Sequence, residues 1–471
     1  MIPLQTVRDV AGIVDLAVVL LVVGQVTVFM LVFVAAARAL IERPPLASPA
    51  LLWKRYSEIA PAVTIISPAY NESATIAESV EALLDLQYPE FEVIVVNDGS
   101  SDDTLARLIA RFDLHPTARL CDQVAPHAPI RGYYTSPTAQ RLLVVDKENG
   151  GGKADAVNAG INAVRTPLIC ITDADTLMEP DALLRAVWPF IEHPHTIAVG
   201  GTICIANGSK VRRGRVVEAR LPSNFLALVQ TLEYERSFML ARLGMSRLGA
   251  SLIVSGAFGL FRHDAVVAVG GYSLGSIGED LELVIKLHRY FRSAGLPYAI
   301  RFLAEPVVWT QAPESFGDLG RQRSRWQRGA LETFFQHASL IFNPRYGAVG
   351  MIGFAQLILV DIVGPLIAVL GYIVVPISWA VGILSAEYFL AFVAAVFTLG
   401  ILMSVLSLIL EQVFVAKLGR VRDFATLALV AVVENFGYRQ LCNLWRIRGW
   451  YQFLRKEQSW GSMNRQNFTQ I

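Results

Sequence analysis

From Ala11 to Leu40 the chain is almost continuously apolar, broken only by Asp15, Gln25, Thr27 and Arg38. A helix needs about 20 such residues to cross the hydrocarbon core of a bilayer, so this stretch is expected to span one. A cleaved signal peptide is the competing reading, because Ala35 and Ala37 are spaced like a small-residue cleavage site. The apolar run is too long for it, since the hydrophobic region of a signal peptide is roughly 7–15 residues. Arg38, Arg43, Lys54 and Arg55 come after the run, whereas Arg8, offset by Asp9, precedes it. The excess of positive charge assigns the chain beyond Leu40 to the cytoplasm and the N-terminus to the outside.

A second apolar block runs from Val349 to Leu410, interrupted near Pro376 and at Ser385-Ala386-Glu387-Tyr388. It reads as two spanning helices joined by a short outer turn. Arg345 before the pair, and Lys417, Arg420 and Arg422 after it, put both flanks in the cytoplasm. A shorter run, Phe424 to Val433, leads into Glu434, Asn435, Tyr438 and Arg439. The tail beyond carries Arg446, Arg448, Arg455, Lys456 and Arg465, so an interfacial or re-entrant helix is expected, with a crossing at 424–450 as the alternative. The expected division is an N-terminal transmembrane helix over 1–48, a cytoplasmic domain over 49–345, two transmembrane helices over 346–412, and the interfacial helix with its basic tail over 413–471. The expected location is a bacterial-type inner membrane, with the lipid bilayer as a partner.

Hydrophobic residues make up 54% of the chain and charged residues 17%, a balance shifted toward membrane proteins. The 41 lysines and arginines nearly cancel the 40 aspartates and glutamates, which leaves no electrostatic footprint for nucleic acid. Cys121, Cys170, Cys204 and Cys442 stand far apart with no CxxC pair, arguing against a zinc site or a disulfide framework.

Between Leu51 and Gln336 short β-rich runs alternate with amphipathic helical stretches, which predicts an α/β domain with a parallel sheet. Strands are expected at Ala62–Ser67, Phe91–Val96, Leu142–Val145 and Leu168–Ile171, with helices over 74–86, from about Asp103, and over 154–163. The segment 114–138, with prolines 116, 126, 129 and 137, reads as a loop-like insertion. In such sheets ligands gather beyond the carboxyl ends of the strands. Tyr70, Asn71 and Glu72, then Asp98, the glycine-rich 149–153 segment, and Asp173 with Asp175 all fall at those ends.

Four local patterns could carry chemistry. Asp173-Ala174-Asp175 offers hard oxygen ligands for Mg²⁺ or Mn²⁺ against a diphosphate; the alternative is one helix-capping and one solvated aspartate. Lys147 to Lys153, KENGGGK, brackets three glycines with two cations and could face phosphate oxygens, or be an unliganded loop. Gly278-Glu279-Asp280 precedes a helical run and supplies a carboxylate able to deprotonate a hydroxyl, or merely acids in a first helical turn. Gln322-Arg323-Ser324-Arg325-Trp326 sets an amide, guanidinium groups and an indole on adjacent helix faces, suited to a diphosphate and a sugar ring or to lipid headgroups.

Taken in order, Ser67-Pro68-Ala69-Tyr70-Asn71-Glu72, Asn97-Asp98-Gly99-Ser100, Gly152-Lys153-Ala154-Asp155-Ala156, Asp173-Ala174-Asp175, Gly278-Glu279-Asp280 and Gln322-x-x-Arg325-Trp326 resemble the membrane-integrated family 2 glycosyltransferases, the group of cellulose, chitin, hyaluronan and poly-N-acetylglucosamine synthases. The resemblance implies a GT-A domain in which Tyr70, Glu72 and Asp98 bind the nucleoside. Lys153 falls with the nucleotide-sugar contacts, and Asp173 and Asp175 with the diphosphate and its Mg²⁺ or Mn²⁺. It also implies that Asp280, beside Glu279, is the general base, that Gln322 and Arg325 touch the diphosphate, and that Trp326 is the platform under the acceptor sugar. Ser255-Gly256-Ala257-Phe258-Gly259 is similar to the acceptor-floor segment, making Gly256 and Phe258 acceptor candidates. It lacks the cysteine usual in cellulose synthases, which weighs against a glucan. The Trp460–Arg465 segment resembles tails of the poly-N-acetylglucosamine-like branch.

The implied activity is processive and inverting, polymerising UDP-N-acetylglucosamine or UDP-glucose onto a growing polysaccharide for export. An accessory export subunit or a homo-oligomer would complete the channel. The rivals are a single-addition transferase acting on a lipid carrier and a non-catalytic transport or binding subunit.

Overall fold

The computed structural model describes residues 4–42, 49–415 and 421–457; the Trp460–Arg465 segment lies outside the described residues. The chain forms two compact units, neither continuous in sequence. An α/β unit is built from Glu42–Ala227 and Ser251–Ala312, and a helical unit from the N-terminal helix, Leu228–Ala250 and the described residues from Pro313 to Glu457.

The α/β unit contains twelve strands: β1 Val63–Ala69, β2 Phe91–Asp98, β3 His115–Thr117, β4 Ile130–Thr135, β5 Leu142–Lys147, β6 Leu168–Ile171, β7 Leu177–Met178, β8 Thr196–Ile205, β9 Lys210–Arg212, β10 Arg215–Glu218, β11 Gly259–Arg262 and β12 Ala299–Thr310. Ten make one sheet in the order β3-β4-β5-β2-β1-β6-β11-β8-β12-β7, and β9 and β10 form a separate hairpin. The pairings of β5 with β2, β2 with β1, β1 with β6, and β8 with β12 are parallel. The antiparallel β11 lies between β6 and β8. β1, β5, β6 and β8 are buried almost without interruption, because helices cover both faces of a parallel sheet and polar alternation has no place. The expected strands are present within a few residues of their expected bounds.

The insertion at 114–138 is a correction. Its β3 and β4 extend the sheet antiparallel beyond β5. The segment between them is held by side chains rather than by its own propensity. Asn162 Nδ2 donates to Ala125 O at 2.8 Å while its Oδ1 accepts from the Ala125 and Val124 amides, and Asn158 Nδ2 donates to Pro126 O at 2.9 Å. Arg119 grips Glu92 with two hydrogen bonds of 2.9 and 3.1 Å. Such long-range donors satisfy the carbonyls of a proline-broken segment, where local pattern shows only the breakers.

In the helical unit, Leu16–Ile41 and Ala386–Phe414 are long and apolar enough to cross a membrane, and a bent pair, Val349–Ile362 with Gly364–Ala380, adds a third crossing if it is one span broken by 40°. Ile13, Leu16, Leu20, Val23 and Leu31 are exposed on the N-terminal helix while Val18, Leu21, Phe29 and Val32 are buried, so it turns one apolar face inward and another outward. At the break in the bent pair four consecutive carbonyls are capped by side chains. Gln25 Nε2 donates to Leu359 O at 3.0 Å, Arg446 Nη1 to Val360 O at 3.2 Å, Gln327 Nε2 to Asp361 O at 2.7 Å and Trp450 Nε1 to Ile362 O at 3.0 Å. Away from water a broken helix is tolerable only if its freed carbonyls find such donors. The 424–450 region forms the Val421–Val433 and Tyr438–Leu454 helices, joined through Gly437 at φ 101°. A carboxylate cluster ties this corner: Glu434 Oε1 accepts from Arg236 Nη1 at 2.7 Å, Arg439 Nη2 at 2.6 Å and Ser404 Oγ at 2.7 Å.

Candidate active site

In the α/β unit the turns after β1 and β2 are joined to each other. Asn71 is held at φ 57°, and its Oδ1 accepts from the Ser101 amide at 2.8 Å while its own amide donates to Ser100 Oγ at 3.0 Å. Tyr70, half exposed, and Glu72, buried, flank this junction. Asp98 ends β2, and its Oδ1 accepts from Lys147 Nζ at 2.5 Å and from the Gly150 amide at 3.2 Å.

The KENGGGK segment divides its two lysines between different tasks. Lys147 has no exposed side-chain surface and is paired with both Asp98 and Asp155, also buried. It is therefore a structural counter-ion, which leaves Lys153 as the ammonium of this segment that could face phosphate oxygens. A Cβ on Gly150 would overlap the Asp155 carboxyl, and Gly151 sits at φ 82°, so the glycines let the loop fold over this buried pair.

Lys153, at the start of the Lys153–Asn162 helix, projects into a group of carboxylates. Its Nζ donates to Asp173 Oδ1 at 2.5 Å and to Gly256 O at 2.8 Å. Asp280 lies on the other side of Gly256, whose amide donates to Asp280 Oδ2 at 3.1 Å; a second amide, of Leu281, donates to Oδ1 at 2.8 Å. Gly256 lies close to both groups: an added Cβ would stand 3.0 Å from Lys153 Nζ and 3.8 Å from Asp280 Oδ2. Phe258 is completely buried, so any part it takes in acceptor binding is as packing beneath this turn.

The electrostatics show how crowded the group is. Burial, then the neighbouring Asp173, push the Asp175 carboxyl up to about 6 against the pull of Lys153. Burial and Asp280 push Glu279 up to about 7. Burial works against the charge on Lys153, but Asp173, Glu279 and Asp280 outweigh it and its pKa rises. Tyr272, a residue the motifs did not mark, is buried against Asp280, Glu279 and Asp173, and burial and these anions raise its pKa.

A site with more carboxylates than cations is one a divalent ion would relieve, and hard oxygens suit Mg²⁺ or Mn²⁺. Among the described residues no three ligating side chains are gathered to hold an ion by themselves. That fits an ion carried by one or two carboxylates and completed by phosphate oxygens.

Gln322, Arg325 and Trp326 belong to the helical unit, on the Phe316–Gln336 helix, which Ser315 caps by accepting from the Asp318 amide at 3.1 Å. Gln322 is buried, Arg325 partly exposed and Trp326 44% exposed. The helix packs on Tyr438–Leu454 through glycines. A Cβ on Gly320 would lie 2.7 Å from Trp445 Nε1, and one on Gly449 2.7 Å from Ser324 O. The cluster around Lys153 and this helix are thus built separately, each within its own unit.

Residues 64–124 match the family described as glycosyl transferase family 2, and residues 130–329 the one described as glycosyltransferase like family 2. Among curated proteins, the poly-beta-1,6-N-acetyl-D-glucosamine synthase of Staphylococcus epidermidis is 29% identical over 286 residues, 61% of this chain and 58% of that protein. Its Staphylococcus aureus counterpart is 30% identical over 274 residues, 58% of this chain and 56% of that protein. The matched region thus spans less than three-fifths of these relatives' length. Among solved structures, the mannosyltransferase PcManGT from Pyrobaculum calidifontis, in complex with GDP-Man and Mn²⁺, aligns over 93% of this chain and 99% of its own at 18% identity and a TM-score of 0.54. At that identity the likeness speaks for the fold, which is GT-A. Over that fold lie two adjoining matches, so residues 64–124 and 130–329 carry glycosyltransferase family 2 domain sequence, and the chain is a glycosyltransferase.

Proposed function

We propose that the protein is an inverting, metal-dependent polysaccharide synthase that transfers N-acetylglucosamine from its UDP derivative to a growing chain at a cell membrane. The observation that carries the reading is the group of Asp173, Asp175, Glu279 and Asp280 around Lys153 and Gly256. The relatives' shared product supports the choice of sugar, and the apolar helices support a multi-pass membrane protein with its α/β unit on the cytoplasmic side.

In this reading Tyr70, Glu72 and Asp98 hold the nucleoside. Asp173 and Asp175 would hold a divalent ion, which when bound supplies Lewis-acid neutralisation of the leaving diphosphate. The two backbone amides on Asp280 fix its carboxylate without consuming all its lone pairs. Asp280 accepts the proton of the acceptor hydroxyl as that oxygen bonds to the anomeric carbon. The bond from that carbon to the diphosphate breaks, UDP departs with the electron pair, and one displacement turns an α-linked donor into a β linkage. Lys153 keeps the cluster's charge from repelling the donor, and Trp326 carries the acceptor sugar.

The test is incorporation of radiolabelled UDP-N-acetylglucosamine or UDP-glucose by membrane vesicles with Mg²⁺ or Mn²⁺, comparing wild type with Asp280→Asn. High-molecular-weight product from UDP-N-acetylglucosamine, reduced about 10²–10⁴-fold in the variant, is expected for loss of a general base. A short lipid-linked product, or equal activity in the variant, would overturn the reading.

A further inference from the structure

Trp326 is backed from inside its own helix. The Arg323 guanidinium carbon lies 4.5 Å from the indole centroid. Arg323 has only 4% of its side chain exposed, and a guanidinium at that depth requires an anion. Glu233, from the Phe225–Glu235 helix, supplies it: Arg323 Nη2 donates to Glu233 Oε2 at 2.7 Å. The Tyr438 hydroxyl, at the start of the Tyr438–Leu454 helix, donates to the same oxygen at 2.9 Å. Three segments far apart in sequence, all in the helical unit, therefore converge beneath one exposed indole.

We infer that Glu233, Arg323 and Tyr438 are positioning residues that hold the guanidinium under Trp326 and so fix the indole's free side for the acceptor sugar. This rests on the acceptor role proposed for Trp326. A guanidinium stacked on one π face restrains the ring and is itself attracted to it. A sugar's C–H face then meets an indole with less rotamer freedom to lose on binding. With Glu233 uncharged, Arg323 loses its anion and its reason to stay beneath the ring.

The experiment uses the full chain in detergent, with UDP-N-acetylglucosamine as donor, short N-acetylglucosamine oligosaccharides as acceptor, and UDP release as readout. Glu233→Gln is expected to raise the acceptor KM about five- to tenfold, as for loss of a partly desolvated cation–π contact, and to leave the donor KM within about twofold. Tyr438→Phe should shift the acceptor KM in the same direction by less. Acrylamide quenching of the Trp326 emission, isolated by subtracting the matching Trp326→Phe protein, should increase in both variants, and Glu233→Asp should restore part of each effect. A change in kcat and donor KM without an acceptor effect would mean a merely structural cross-link and would overturn the inference, as would unchanged quenching. If wild type releases no UDP from this donor, the proposed function fails and quenching alone decides the positioning role. If Glu233→Gln does not fold, Tyr438→Phe, which removes a single hydroxyl, carries both readouts.

Discussion

Replacing Lys147 with methionine should destabilise the α/β unit, although the ammonium itself is too deeply buried to touch substrate. The ammonium is completely buried, and its partners Asp98 and Asp155 have only 6% and 5% of their side chains exposed. After the substitution Asp98 keeps the Gly150 amide and Asp155 keeps the Ala128 amide, one donor each, and both lose their counter-charge. Removing one partner from a buried ion pair costs about 3–5 kcal/mol, because the remaining charge stays desolvated. For a unit of this size about 2–4 °C of melting temperature accompanies each kcal/mol, so a fall of roughly 6–20 °C is expected. The assay is tryptophan-fluorescence melting of the purified chain in detergent at one fixed scan rate, since unfolding of such proteins is often irreversible. Lys147→Met with Asp155→Asn should recover part of the loss, because the double variant removes one of the stranded charges. Lys153→Met is the contrast: its partner Asp173 is 37% exposed and can be partly resolvated, so stability should fall less than in Lys147→Met while activity collapses. A Lys147→Met protein melting within about 2 °C of wild type would refute the counter-ion argument.

His288 gives a pH-dependent stability. Its Nε2 meets Ser251 O at 2.7 Å and its Nδ1 meets Tyr298 OH at 2.7 Å, an arrangement that a neutral ring satisfies by donating to the carbonyl and accepting from the phenol. Burial lowers its pKa from 6.5 to about 4. Below pH 6.5 the unfolded chain takes up a proton that the folded chain refuses, so this contribution is complete above 6.5 and falls by about 3 kcal/mol as pH drops toward 4. The melting-temperature advantage of wild type over His288→Gln should therefore shrink from pH 7.5 to pH 5; a constant gap would contradict the linkage. Gly449→Ala places a Cβ 2.6 Å from Gln327 Cβ and 2.7 Å from Ser324 O, and the latter, being backbone, cannot rotate away. About 1–3 kcal/mol of destabilisation is expected for such overpacking, read as a lower melting temperature with a raised acceptor KM; an unaltered protein would show that the two helices can separate without cost.

The parallel core of the α/β unit was legible because its information is local. FEVIVV and LICI are apolar runs too short for helices, and a strand buried on both faces needs nothing more. The helix starting at Lys153 and the one at Glu279 were legible for the same reason, as each comes after a glycine and opens with charged residues. The strands β3 and β4, which extend the sheet beyond β5, were not, because the side chains that hold the segment between them, Asn158 and Asn162, lie more than 30 residues further along the chain. Nor could the motif residues be sorted into exposed and buried by spacing: Phe258 and Lys147 carry the same motif weight as Gly256 and Lys153 until burial separates them.

From the sequence alone came the membrane runs, the α/β periodicity and six ordered motifs, all properties of consecutive residues whose backbone geometry repeats every two or every 3.6 positions. Tertiary structure decided which charges meet. It put Lys147 between two buried aspartates, Lys153 among the carboxylates around Gly256, and Glu233 and Tyr438 beneath the guanidinium that supports Trp326. The physical reason is that a charge is cheap in solvent and costly in the interior. A lysine therefore has the same identity in the chain wherever it lies, and acquires its function only from the partners that the fold brings within reach.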